Sequence, residues 1–379
     1  MAPQLKEHPT IYDLVFRSFD SFYEKRIIAK GTENIPDKGP AIIMSNHVRK
    51  IDPVMFNSAI KKHLFYMAKE DIIHDEFPSN LLNPTVTYFL HFINSYPANR
   101  INMKTKQFSV FYEIIKENKH LIVFPTGGRS LSGKIRGWYE KETFRKKVKK
   151  GPEDIAKLIR GLYVNGLKRK DEKTKKKIEN LKIIPAGIIY DIITKDIFIN
   201  LGEPKKINLR YLNKLKSVER KEAMKDEGEK IISGIESLVN VNLDSLCAGF
   251  LCESVRKIVN QELDNCIGRY KLDEGSFTEG VYLIVNKVLK LKEIYTDTNL
   301  KDGSYISNYV EEFFTWLNKE KFMEFNKSSK KVNVEKVLES PFKKKNPRHL
   351  ANRISHFKKI SEIIKEEVRE RDSMVTYVS

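Results

Sequence analysis

A chain of 379 residues, 40% hydrophobic and 31% charged, is ordinary for one large or two smaller globular cores. No stretch approaches the roughly 18 to 20 consecutive apolar residues that cross a bilayer, and the N-terminus lacks the basic, apolar and small-residue sections of a secretory signal, so a cytoplasmic protein is expected. The net charge of +19 calls for an anionic partner or a solvated, lysine-biased surface; the lysine-rich runs at 145–150, 168–177 and 343–345 fit either, and they lack the interleaved aromatics that nucleic-acid binding would want.

In chain order, residues 10–26 place Ile11, Leu14, Val15, Phe19, Phe22 and Tyr23 at helical spacing with Asp13, Arg17, Asp20 and Lys25 elsewhere on the wheel. This predicts an amphipathic helix, packed on the core or laid on a membrane surface. After turn signals at Gly31 and 36–40, apolar runs at 41–45, 64–68, 120–124, 182–190 and 197–201 read as short strands. Helical patterns at 53–61, 103–117 and 152–163 fall between them, the first and last opening on proline. The alternation predicts an α/β fold, a largely parallel or mixed sheet flanked by helices. From about residue 208 the periodicity becomes helical, with Ile231, Ile232, Ile235 and Leu238, then Leu246, Phe250, Leu251, Val255, Ile258 and Val259, and further patterns at 280–291 and 306–316. The expected division is therefore an N-terminal helix to residue 27, an α/β domain over 28–207, and a mostly helical C-terminal region over 208–379. Its last segment, 350–371, carries too few apolar residues for a core helix. Cys247, Cys252 and Cys266 have no neighbouring histidine to complete a metal site and read as buried thiols.

Two segments carry chemistry. The strand at 41–45 delivers Asn46, His47 and, five residues after the histidine, Asp52 followed by Pro53. On an ideal helix those two side chains would point roughly 140° apart, so only a turn can join them, with Asp52 at or near a helix N-cap. The bland reading is a capping aspartate beside a turn histidine; the sharper one is a general base with its orienting carboxylate. The strand at 120–124 delivers Thr126-Gly127-Gly128-Arg129-Ser130, whose glycines admit close backbone approach and whose arginine offers a bidentate fork to phosphate. Arg100, Lys134 and Arg136 are further phosphate candidates or solvated surface. In a parallel sheet both turns emerge at the carboxyl edge, where ligands bind.

Taken in order, Asn46-His47-x4-Asp52-Pro53, Phe92 to Arg100, Phe124-Pro125-Thr126-Gly127-Gly128-Arg129-Ser130 and Ile184-Pro185-Ala186-Gly187-Ile188 resemble the four sequence blocks of the glycerolipid acyltransferase family, over about residues 28–200. The resemblance implies that His47 is the catalytic base, Asp52 its partner, and that Arg100 and Arg129 hold the acceptor's phosphate. It implies an acyl thioester donor, on acyl carrier protein or coenzyme A, and glycerol 3-phosphate acylated at its sn-1 hydroxyl; 1-acylglycerol 3-phosphate (lysophosphatidate) is the alternative acceptor. No metal or other cofactor is implied. The family's third block usually has glutamate and threonine where Thr126 and Gly128 stand. The Gly-Gly-Arg form looks like that of plastid-type glycerol-3-phosphate acyltransferases. Peripheral attachment to the inner face of an anionic membrane is expected, with no nucleic-acid partner. From another class, a non-catalytic membrane- or nucleic-acid-binding protein on a degenerate acyltransferase fold would suit the charge; the intact His47 and Asp52 speak against it.

Overall fold

The computed structural model describes residues 26–49, 51–69, 95–98, 105–125, 153–261, 269–291, 294, 296, 298–326, 329–333, 337, 351, 357–371 and 375–378. These fall into two compact units, one of residues up to 189 with 197–239, the other of 190–196 with those from 240 onward.

In the first unit the order is β1 (Ile27–Lys30), β2 (Ala41–Ser45), α1 (Asp52–Ile60), β3 (Leu64–Lys69), β4 (Ser95–Ala98), α2 (Thr105–Lys116), β5 (His120–Val123), α3 (Glu153–Lys168), α4 (Glu172–Glu179), β6 (Lys182–Tyr190), β7 (Ile197–Leu201), α5 (Leu209–Lys214) and α6 (Ser217–Ser237). The strands form one sheet in the order β1-β7-β6-β2-β5-β3-β4. β2 runs parallel to both its neighbours, with Met44 opposite Val123 on one side and Pro185 on the other. β6 and β7 are neighbours joined by residues 191–196, a connection too short for a crossover and therefore a hairpin. The sheet is mixed and flanked by helices, as expected. β2 is buried at all five positions, because a central strand covered on both faces has no solvent side and reads as an unbroken apolar run. Ile42 and Met44 of β2 share a core with Phe111 and Ile115 of α2, Leu162 of α3, and Ile231, Ile232 and Ile235 of α6. The unit thus extends past the expected boundary at 207, because α6 spends its apolar face on the sheet's own core.

At the amino edge of this sheet, His120 is buried and its Nδ1 has no hydrogen-bond partner among the described residues. Burial, with Lys62 and then Lys119 adding to it, pushes its pKa down to about 4.

The second unit holds α7 (Leu243–Gln261), β8 (Arg269–Leu272), α8 (Glu274–Leu289), α9 (Gly303–Lys319), β9 (Met323–Asn326), β10 (Ser329–Asn333), α10 (Lys358–Glu370) and β11 (Val375–Val378). It is mostly helical but adds a four-stranded antiparallel sheet, β11-β8-β10-β9, that the periodicity did not announce. One expectation is corrected: the charged segment at the end of the chain does supply a core helix. Ile360, Ile364 and Val368 of α10, spaced four apart, join the core of α7, α8 and α9. Its Glu367 is buried too, tied to Arg371 at 2.8 Å and Lys287 at 3.4 Å. Cys247 and Cys252 are buried free thiols, as expected.

Inside this unit Asp191 is buried, accepting the N–H groups of Ile193 and Thr194 and the hydroxyl of Tyr309 at 2.7 Å. Burial first, and the neighbouring Asp244 second, push its pKa up to about 7. Asp244 is itself buried and accepts Ile192 N–H at 3.0 Å.

Candidate active site

At the carboxyl edge of β2 the chain leaves the sheet through Asn46, His47, Val48 and Arg49 and re-enters regular structure at Asp52. Asp52 is the first residue of α1 and Pro53 the second, a position where proline's missing N–H costs nothing. One Asp52 oxygen, Oδ2, gathers the whole turn: it accepts Val48 N–H at 2.6 Å, Arg49 N–H at 3.0 Å, and lies 2.7 Å from His47 Nδ1. Asp52 does not cap α1, whose N-cap is Ile51 without a side-chain bond; its carboxylate instead closes the turn that carries His47, which corrects the capping reading. With Asp52 holding Nδ1–H, the lone pair of the neutral imidazole sits on Nε2, free to take a proton. The carboxylate is fully buried, while 15% of the histidine side chain is exposed.

Two further residues fix the ring. Phe124, the residue after β5, stacks on His47 with centroids 4.3 Å apart and planes 22° from parallel. The contact follows from the register, which sets the ends of β2 and β5 side by side. Asn46 is buried and bridges to β6 twice, donating through Nδ2 to Ile188 O and accepting Ile188 N–H at Oδ1, each at 2.8 Å. Its amide continues the ladder one residue beyond the strand and locks the residue that precedes the histidine. Gly187 makes room for β6 here: a Cβ on it would come within 2.4 Å of Leu238 O. Ser45, the one nucleophile the sequence offers beside His47, is buried and donates to Asn46 Oδ1 at 3.3 Å.

The first and fourth blocks, and the opening of the third, thus meet at one edge of the sheet. Neither Phe124 nor Asn46 stood out as a positioning residue in the sequence. Arg100, Thr126, Gly127, Gly128, Arg129, Ser130, Lys134 and Arg136 lie outside the described residues, as does the 10–26 segment apart from Arg26. The geometry supplies an imidazole whose tautomer and orientation are fixed at the end of a parallel strand, suited to drawing a proton from a bound hydroxyl.

Residues 26–163 match the family model described as Acyltransferase. Over 111 residues, 29% of this chain and 42% of the relative's length, the sequence is 27% identical to a 1-acyl-sn-glycerol-3-phosphate acyltransferase of Borreliella burgdorferi. That match spans less than half of the relative. The solved 1-acyl-sn-glycerophosphate (LPA) acyltransferase PlsC of Thermotoga maritima, 15% identical, superposes with a TM-score of 0.35 over 59% of this chain and 80% of its own.

Proposed function

We propose that this chain, whose residues 26–163 match the Acyltransferase family model, is a glycerolipid acyltransferase that moves a fatty acyl group from a thioester to a hydroxyl of a glycerol-phosphate acceptor. The observation that carries the reading is the 2.7 Å His47–Asp52 contact at the carboxyl edge of the sheet, with Phe124 against the imidazole. His47 Nε2 takes the proton of the acceptor hydroxyl while Asp52 stabilises the imidazolium that forms. The acceptor oxygen attacks the thioester carbonyl carbon, the carbon–sulfur bond breaks, and the thiolate leaves with the proton from His47. No covalent enzyme intermediate is required, and the burial of Ser45 supports that.

Of the two acceptors, 1-acylglycerol 3-phosphate is supported by the Borreliella burgdorferi relative. Glycerol 3-phosphate, acylated at sn-1, is the second reading and is supported by the Gly127-Gly128-Arg129 sequence. Arg129 and Arg100 are assigned to the acceptor's phosphate, with Thr126, Gly127, Gly128, Ser130, Lys134 and Arg136 around it, and the donor is acyl carrier protein or coenzyme A thioester. Among the described residues no helix is long and apolar enough to cross a membrane. We assign the meeting with lipid to peripheral attachment, through residues 10–26 and the basic surface.

Purified protein offered each acceptor with each thioester tests the assignment, and His47→Ala should lower turnover by about 10² to 10⁴ while the thermal midpoint holds. Undiminished transfer by that variant would remove His47 from the reaction. Transfer to glycerol 3-phosphate alone would replace the first reading of the acceptor with the second.

A further inference from the structure

We infer that the first unit carries a second anion site, at the opposite edge of the sheet from His47, built to hold a phosphate group. A recess of about 380 Å³ opens where the loop before β2, the turn before β5 and the start of β6 converge, lined by Lys38, Asn118, Lys176, Lys177, Asn180 and Lys182. These are the amino ends of three parallel strands. Ala41 to Ser45 alone puts the recess about 13 Å from the carboxyl edge, at roughly 3.3 Å per residue, so it is no part of the His47 site.

Four lysines line the recess and no acidic residue does. Among the described residues none of the four lysines has a carboxylate within 4 Å, and the acids nearest in sequence are engaged elsewhere: Asp37 with Lys62 at 2.8 Å, and Glu179 with Arg210 at 2.7 Å. Lys177 is held in place through the carbonyl of Lys116. Asn180 donates to Lys176 O at 3.0 Å, tying it to the last turn of α4. Gly39 forms part of the wall with a φ of 89°, a backbone conformation that side chains disfavour, and a Cβ there would meet nothing within 4 Å. Like charges gathered around a concavity without counter-charge repel one another, and an anion with two or more negative oxygens relieves that repulsion. The concave form and the Asn118 side chain suit a compact phosphate group, presented by a small metabolite or a lipid headgroup, while Asn180 brings Lys206 to the rim through its Oδ1 at 3.4 Å. The inference does not depend on the proposed reaction.

The test is calorimetric titration of the full chain with pyrophosphate. The variant Lys38→Ser, Lys176→Ser, Lys182→Ser should weaken binding by about tenfold or more. A control of equal charge, Lys214→Ser, Lys221→Ser, Lys225→Ser, removes exposed lysines elsewhere in the unit and should shift it less than about twofold. Equal weakening by the two variants would reduce the effect to general attraction, and absence of pyrophosphate binding to the native chain, with no loss in the vesicle arm, would also overturn the site. The vesicle arm identifies the source: if the recess variant alone loses sedimentation with phosphatidate vesicles and pyrophosphate binds weakly, the group is a headgroup; if pyrophosphate binds and vesicles are indifferent, it is a soluble phosphate. The recess variant should also leave the acceptor KM unchanged. A raised KM would merge the recess with the acceptor site.

Discussion

At the scale of single residues, the imidazole of His47 is held by a carboxylate below one nitrogen, a phenyl ring against its face, and a locked amide behind its backbone. Each can be separated by substitution. Asp52→Asn can keep one oxygen at the shared position for Val48 N–H, Arg49 N–H and His47 Nδ1–H but removes the negative charge that stabilises the imidazolium, so turnover should fall by more than about tenfold with a small change in thermal midpoint. If midpoint and turnover fall together, Asp52 chiefly holds the 48–49 turn. Asn46→Ala leaves the Ile188 N–H and carbonyl unpaired in a dry site, costing about 1 to 3 kcal/mol of stability, and should lower kcat more than either KM because the histidine loses its support. A KM effect without a kcat effect would argue that Asn46 shapes a binding surface instead. The histidine and aspartate were legible in the sequence because Asn46 and Pro53 marked the turn between them. Phe124 was not: its stacking depends on β2 and β5 being neighbours in register, a long-range fact that no local spacing encodes.

At the scale of elements, long apolar runs announced β2, β6 and β7 almost to the residue, since buried strands leave no polar positions to blur their ends. The edge strands β1 and β4, four residues each, carry too short a pattern to read, and so do the strands of the second unit's sheet, four or five residues long, with β8 and β10 carrying two charges each. α10 reads as a surface helix for a different reason: three apolar residues at spacing four suffice when the helix presents one narrow stripe to α7 and α8, and a count of apolar residues misses the stripe. Ile364→Ala should therefore cost about 2 to 5 kcal/mol, seen as a lower denaturation midpoint of the second unit. A loss under about 0.5 kcal/mol would return α10 to the surface role its composition suggested. In the first unit, Gly187→Ala should cost about 1 to 3 kcal/mol, because its Cβ would press on backbone at Leu238 that cannot swing away as a side chain could.

At the scale of the whole molecule, the change to helical periodicity near 208 was visible, but which unit owned α6 was not, since a helix shows its apolar face without naming what it will cover. Equally invisible was the burial of His120 and Asp191, one in each unit and shifted in opposite directions. Between its native value near 4 and the ordinary 6.5, His120 takes a proton only when the first unit unfolds, so that unit loses stability as pH falls through this range. Asp191 is the reverse. Between the ordinary 3.8 and about 7 its native form keeps a proton that the unfolded chain releases, so the second unit gains stability as pH falls. Hydrogen exchange between pH 6.5 and 4.5 should show protection falling in β5 and rising in α7, with His120→Gln flattening the first trend and Asp191→Asn the second. Parallel trends in both units, unchanged by those variants, would discard the assignment. Mild acid would then act as a selector of the weaker half. A protease that cuts only opened chain should release a growing share of its fragments from before residue 240 as pH falls from 7 to 4.5, so a gel lane could read out the balance between a histidine that folding keeps from its proton and an aspartate that folding lets keep one.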